Sequence, residues 1–159
     1  MIKRLVDQIV AVIAAPTSAA SDADTRDAAI RMATAVLMVD VARADHVFEA
    51  SELARVLQLV QAHFDLTSDE AAELVELATG KAEELTSAYE FTHILHQHLD
   101  ADEEARIVGL LWQVAYADGQ LDKYEDSLVL KISDLLHVSR GRVMRLKYDA
   151  AQAARQRAR

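Results

Sequence analysis

Carboxylates at matched spacing are the residues of this chain best suited to chemistry. The stretches "ARADHVFEASE" (42–52) and "AYADGQLDKYE" (115–125) align without a gap at an offset of 73, and each reads D-x-x-Φ-[DE]-x-x-E. In the second copy the spacing permits Asp118, Asp122 and Glu125 to converge across a short turn. Oxygen-only ligand sets of this kind suit a hard divalent cation such as calcium or magnesium. The same spacing also serves helix punctuation. Gly119 can take the left-handed conformation past a helix end, and Asp122 with Glu125 can open the next helix as a capping box. Phe48 and Leu53 occupy the positions of a hydrophobic staple if Glu49 is the N-cap.

Punctuation leaves Asp45 and Asp118 unexplained. Both fall in the last turn of a helix, where a negative charge meets the negative end of the dipole at a cost of about 0.3–1 kcal/mol. A bound cation would reverse that penalty, and so would a basic partner such as Arg43, Arg55 or Lys123. An EF-hand is excluded: a loop starting at Asp118 puts glycine second instead of sixth and Val129 twelfth, where a bidentate glutamate is required.

The elements that must position these turns are helical. The chain has 159 residues, 52% hydrophobic, with one proline, four glycines and no cysteine. That composition offers few turn or strand signals and no disulfide, thiolate ligand or cysteine nucleophile. It predicts a single all-α domain over residues 1–159, a bundle of seven or eight helices. Two segments, "IRMATAVLMVDVARA" (30–44) and "RIVGLLWQVAYA" (106–117), are apolar nearly all round and are expected at the centre. "LARVLQLVQAHF" instead shows a one-sided stripe of Leu53, Val56, Leu57, Val60 and Phe64. Asp65, Thr67 and Ser139 stand where N-caps are wanted, with Glu70 completing a capping box on Thr67. The matched turns, each followed by an amphipathic helix, amount to a weak internal helix-turn-helix duplication.

The net charge of −9 is unevenly spread. The last twenty residues carry seven of the seventeen basic residues and one acid, Asp149; the rest hold ten basic against twenty-five acidic. An acidic body repels phosphate, which argues against a nucleic-acid partner. The basic helix or tail at about 140–159 suits a helix C-terminus, an anionic membrane or the acidic body itself. The opening "MIKRLVDQIVAVIAAP" reads as an amphipathic first helix, since Asp7 and Gln8 interrupt what would be a signal-peptide core. No transmembrane segment is expected.

"HILHQH" places His93, His96 and His98 within six residues, but a continuing helix turns His98 away from the other two, and two ligands do not make a zinc site. Asp100 or Asp102 could complete one; a solvated or helix-end cluster is the reading adopted. Trp112, Met32, Met38 and Met144 read as core. No nucleophile motif, phosphate loop or metalloprotease spacing occurs, so no enzyme activity is expected.

The doubled "A-x-A-D-[GH]-x-Φ-[DE]-x-x-E" turn, each copy closing an apolar helix, resembles the TerB-like family named for tellurite resistance. The likeness runs roughly from Ile30 to Leu146 and is most specific in "AYADGQLDKYEDSLVLKISDLL" (115–136). It implies a cytoplasmic bacterial helical domain without catalysis, acting in a stress or tellurite-resistance context, with a protein partner. It also implies a divalent cation as cofactor, held by Asp45, Glu49, Glu52, Asp118, Asp122 and Glu125. His46 stands where the family prefers glycine, and Glu49 where a serine, threonine or aspartate cap is usual. The competing expectation is a protein-interaction module in which the acidic turns are structural only.

Overall fold

Alanine, leucine and valine in long runs without proline leave the backbone little alternative to helix, and the computed structural model follows. It describes residues 19–45, 48–84 and 88–158; the amphipathic helix expected before Pro16 lies outside them. Seven helices occur among the described residues: α1 (Ala19–Ala42), α2 (Ala50–Phe64), α3 (Ser68–Glu84), α4 (Tyr89–His98), α5 (Ala101–Ala115), α6 (Lys123–Leu135) and α7 (Arg140–Arg157). No strand is present among these residues.

The two segments that are apolar all round are central. In α1, Ala33, Ala35, Val36, Leu37, Met38, Val39 and Val41 have no exposed surface, a run that covers every face of the helix. Helix α1 packs against α2, α3, α4, α5 and α6, and α5 packs against α1, α2, α6 and α7. Trp112 of α5 is fully buried and donates its indole N–H to the Val143 carbonyl of α7 at 3.2 Å, joining core burial to a satisfied polar atom. On α2, Val56 and Val60 are buried as the stripe requires, but Leu53 is 39% exposed and Leu59 is buried. The inward face is thus rotated toward Glu52 and away from Leu53. Met144 also departs from its expected core place and is exposed on α7.

The duplication extends beyond the turns. In both α1-α2-α3 and α5-α6-α7 every helix packs on the other two, most extensively the first on the third, and α4 connects the halves while touching α1 and α6. Both halves join their second and third helices by the same device. The Leu66 N–H donates to the Gln61 carbonyl at 3.0 Å and the Val138 N–H to the Ser133 carbonyl at 3.1 Å, closing matching Schellman turns. The residues at the left-handed position are Asp65 (φ 54°) and His137 (φ 59°). Asp65 therefore ends α2 and is not an N-cap. Thr67 is the cap of α3, in a reciprocal box with Glu70 at 3.1 and 2.9 Å, and Ser139 accepts from the Arg142 N–H at 3.4 Å to open α7. A side chain with a Cβ costs about 1 kcal/mol at a left-handed position. Asp65→Gly is expected to raise the unfolding free energy by about that amount, read from chemical denaturation.

The basic C-terminal segment is a helix laid on the acidic body. Arg142 pairs with Asp102 at 2.9 Å, Lys147 with Asp126 at 2.8 Å and Arg140 with Asp134 at 3.4 Å. Lys147 also sits 5.2 Å from the Trp112 ring centroid. No helix among the described residues is long and apolar enough to cross a membrane.

Candidate functional site

Where both are described, the acidic turns are entered and left in the same way. At the end of α1 the Ala44 N–H donates to the Val41 carbonyl at 3.1 Å, and at the end of α5 the Ala117 N–H donates to Val114 at 3.0 Å. Each chain then leaves its helix at an aspartate, Asp45 or Asp118, and re-enters one at Glu49 (φ −80°, ψ 157°) or Asp122 (φ −81°, ψ 145°). In the second copy Gly119 takes φ 87°, and Asp118 Oδ1 accepts from the Gln120 N–H at 3.0 Å. The glycine absorbs a conformation that would strain a residue bearing a Cβ.

Glu49 and Asp122 act as N-caps. The Glu49 N–H donates to Glu52 Oε1 at 3.3 Å, within a capping box that Glu49 closes on the Glu52 backbone. Asp122 Oδ1 accepts from the Tyr124 N–H at 2.7 Å and the Glu125 N–H at 3.4 Å. These two candidates are engaged by backbone donors, as local punctuation requires.

Glu52 and Glu125, each three residues past its cap, are in the first turns of α2 and α6 but turned inward. Glu52 is 6% and Glu125 5% exposed. Each carboxyl group lies in the other's electrostatic field, so the two turns meet across the pseudo-twofold relation of the halves. Burial pushes Glu52 up to about 7; the Glu49 N–H and the neighbouring Glu125 carboxyl pull it down, while Asp45 and Asp118 raise it further. Burial pushes Glu125 up to about 8, reinforced by the charges of Glu52, Asp45 and Asp118 and opposed by the Asp122 N–H. Two buried carboxyl groups this close resist ionising together, which keeps them protonated to higher pH than ordinary glutamates. Glu125 Oε2 is buried with no hydrogen-bond partner.

Four of the six candidates, Asp45, Glu52, Asp118 and Glu125, are thus brought within one another's field. Among the described residues, no lysine or arginine figures in the influences that set the two glutamates. Arg55, one turn beyond Glu52, is directed at Gln113 (3.0 Å) and Gln58 (3.3 Å), and Lys123 lies 5.1 Å from the Tyr124 ring centroid. No three acidic or histidine side chains among the described residues are already drawn together as a metal-ligand group. In these side-chain positions the cluster is a buried carboxyl pair flanked by two aspartates. Within it Glu125 Oε2 is a buried oxygen with no hydrogen-bond partner.

Among the histidines, His93 stacks on Tyr89, with centroids 5.8 Å apart, whereas His96 turns toward a different set of residues. Its Nδ1 lies 3.2 Å from both carboxylate oxygens of Glu104, which is 4% exposed, and its ring lies 4.6 Å from that of His137. The three are scattered along the sequence, and no spacing rule would have joined them.

An all-helical domain with two buried central helices, each closed by the same acidic turn, defines the class. The family model described as "Tellurite resistance protein TerB" matches residues 31–148, and the chain belongs to that family. No curated protein and no solved structure matches it.

Proposed function

We propose that the meeting of the two acidic turns is a divalent-cation site, with Asp45, Glu52, Asp118 and Glu125 as the oxygen donors and calcium or magnesium as the ion. The observation that carries this reading is the buried Glu52–Glu125 carboxyl pair, whose Glu125 Oε2 has no hydrogen-bond partner. An acid pair packed this way is costly unless something repays the burial. A proton repays part of it, and a cation that displaces the proton repays more while relieving the dipole penalty on Asp45 and Asp118. Glu49 and Asp122 would shape the turns as caps and leave direct ligation to the other four.

On this reading the protein is a non-enzymatic, cation-responsive domain of a bacterial cytoplasmic stress or tellurite-resistance pathway. Ion occupancy would set how the two halves engage a protein partner. The capping roles of Glu49 and Asp122 favour a second reading, a protein-interaction module whose acidic turns are structural.

Thermal melting of EDTA-treated protein at constant ionic strength separates the two. At about a hundred times its dissociation constant, an ion that binds only the folded state adds about 2.7 kcal/mol. Calcium or magnesium is expected to raise the melting temperature, and Asp118→Asn, which keeps the oxygen that accepts from Gln120, is expected to lose that rise while still folding. A wild-type protein that melts identically with and without each ion would leave only the structural reading standing.

A further inference from the structure

The geometry points to a binding site for a small organic carboxylate in the cleft between α1, α2 and α5, with Arg26 and Arg106 for the carboxylate and an apolar floor for its hydrocarbon part. The cleft has a volume of about 190 Å³. Sites for drug-sized ligands run to roughly 300–1,000 Å³, so this one suits a molecule of few heavy atoms. Ile30 and Ile107, both buried, make its floor, with Phe64 and Leu99 packed against the same core. Arg26 of α1, His63 of α2 and Arg106 of α5 bring basic side chains to its walls from different helices. On α7, Arg140, Arg142 and Lys147 are paired with Asp134, Asp102 and Asp126. Arg26 and Arg106 are in no ion pair among the described residues.

The charges of the cleft select the class of ligand. Asp27 and Glu103 also line it, so while His63 is neutral the formal charges of the walls cancel. Their placement is uneven. Glu103 is engaged at the start of α5, where its Oε1 accepts from the Asp100 N–H at 3.1 Å. At His63 the field is positive: partial burial and then the charge of Arg106 hold the imidazole below the ordinary histidine value, and no carboxylate figures among those influences. His63 and Arg106 thus form a corner that lacks an anion. A dianion such as phosphate would meet the charges of Asp27 and Glu103 and leave the apolar floor uncovered. A monoanion with a hydrocarbon body matches both halves of the cleft. Guanidinium takes a carboxylate through two parallel hydrogen bonds, and an apolar neighbour that excludes water strengthens the pairing.

The probe is isobutyrate, exchanged for chloride at constant ionic strength, with the His63 imidazole resonances followed by NMR through a pH titration. It is expected to shift them saturably and to raise the His63 midpoint, because the anion offsets Arg106. Arg106→Gln should raise that midpoint with no ligand present, and should weaken isobutyrate binding by about tenfold or more, the scale of a lost charged hydrogen bond. Arg26→Gln should also weaken binding. Both arginines are exposed, so both variants are expected to melt with wild type. Glu125→Gln should bind isobutyrate as wild type does, which separates this site from the acidic turns. A His63 midpoint that ignores isobutyrate, an equal response to the neutral isobutyramide, or an unchanged affinity in Arg106→Gln would overturn the assignment. Inorganic phosphate binding as tightly as isobutyrate would overturn it as well.

Discussion

The metal-free protein is expected to lose stability as pH rises from about 5 to about 8, opposite to the usual behaviour of a protein whose carboxylates are salt-bridged. Glu52 and Glu125 have folded-state values of about 7 and about 8 against an ordinary 4.5. Below 4.5 both states are protonated and the contribution is fully present. Between 4.5 and about 8 the unfolded chain has released these protons while the folded chain still holds them, so the unfolding free energy falls with pH. Above about 8 the folded pair is ionised too, and the curve flattens. The loss across this window should reach the order of a few kcal/mol, since both groups are 6% exposed or less and screened little by water. Chemical denaturation at fixed ionic strength, in EDTA, between pH 5 and 8.5 measures it. Calcium or magnesium should restore most of the loss at pH 8 and do little at pH 5, where protons outcompete the ion.

Glu125→Gln carries the second large effect. The amide keeps the size and hydrogen-bonding reach of the carboxyl but cannot ionise, and it leaves Glu52 facing a neutral partner. At pH 8 the metal-free variant is expected to be more stable than wild type by about 2–4 kcal/mol, the scale of an uncompensated buried charge. At pH 5, where the wild-type pair is already protonated, the two should differ little. The variant should also lose its response to calcium and magnesium. A substitution that stabilises the protein while removing ligand binding marks a site held at a cost to the fold. Equal stabilities at both pH values would mean that Glu125 is solvated enough to ionise freely.

Much of this arrangement is legible in the residues themselves. The central helices α1 and α5 announce themselves because Ala33 to Ala42 and Ile107 to Ala115 leave no polar face to meet water, and only a buried helix tolerates that. The doubled turn is visible because its aspartates and glutamates repeat at one offset, and Gly119 and the Thr67–Glu70 box carry local chemistry that needs no tertiary context. Asp65 reads as an N-cap in the sequence but ends α2, and the reason is physical: aspartate is favoured both as an N-cap and at a left-handed helix end.

The division of labour within the six acidic residues was not legible. A glutamate three residues past a cap reads as the return arm of a capping box, and Glu52 does serve that role toward Glu49. That the same side chain is also buried against Glu125 depends on how the two halves meet, which no local pattern records. The inward rotation of α2 that exposes Leu53 and buries Glu52 is the same fact seen from the core. The Glu104–His96–His137 grouping was hidden for a related reason. It joins α4, α5 and the α6–α7 turn, and the neighbouring His93 and His98 draw attention to a spacing that the structure does not use.

The most direct measurement is a calorimetric titration of calcium, and then magnesium, into EDTA-treated protein at pH 7.5 in two buffers of different ionisation enthalpy, which counts the protons released per ion bound. A cation entering between Glu52 and Glu125 must displace what holds them together, so saturable binding with release of about one proton is expected. Binding without proton release would place the ion elsewhere, and no binding of either ion would contradict the cation site itself.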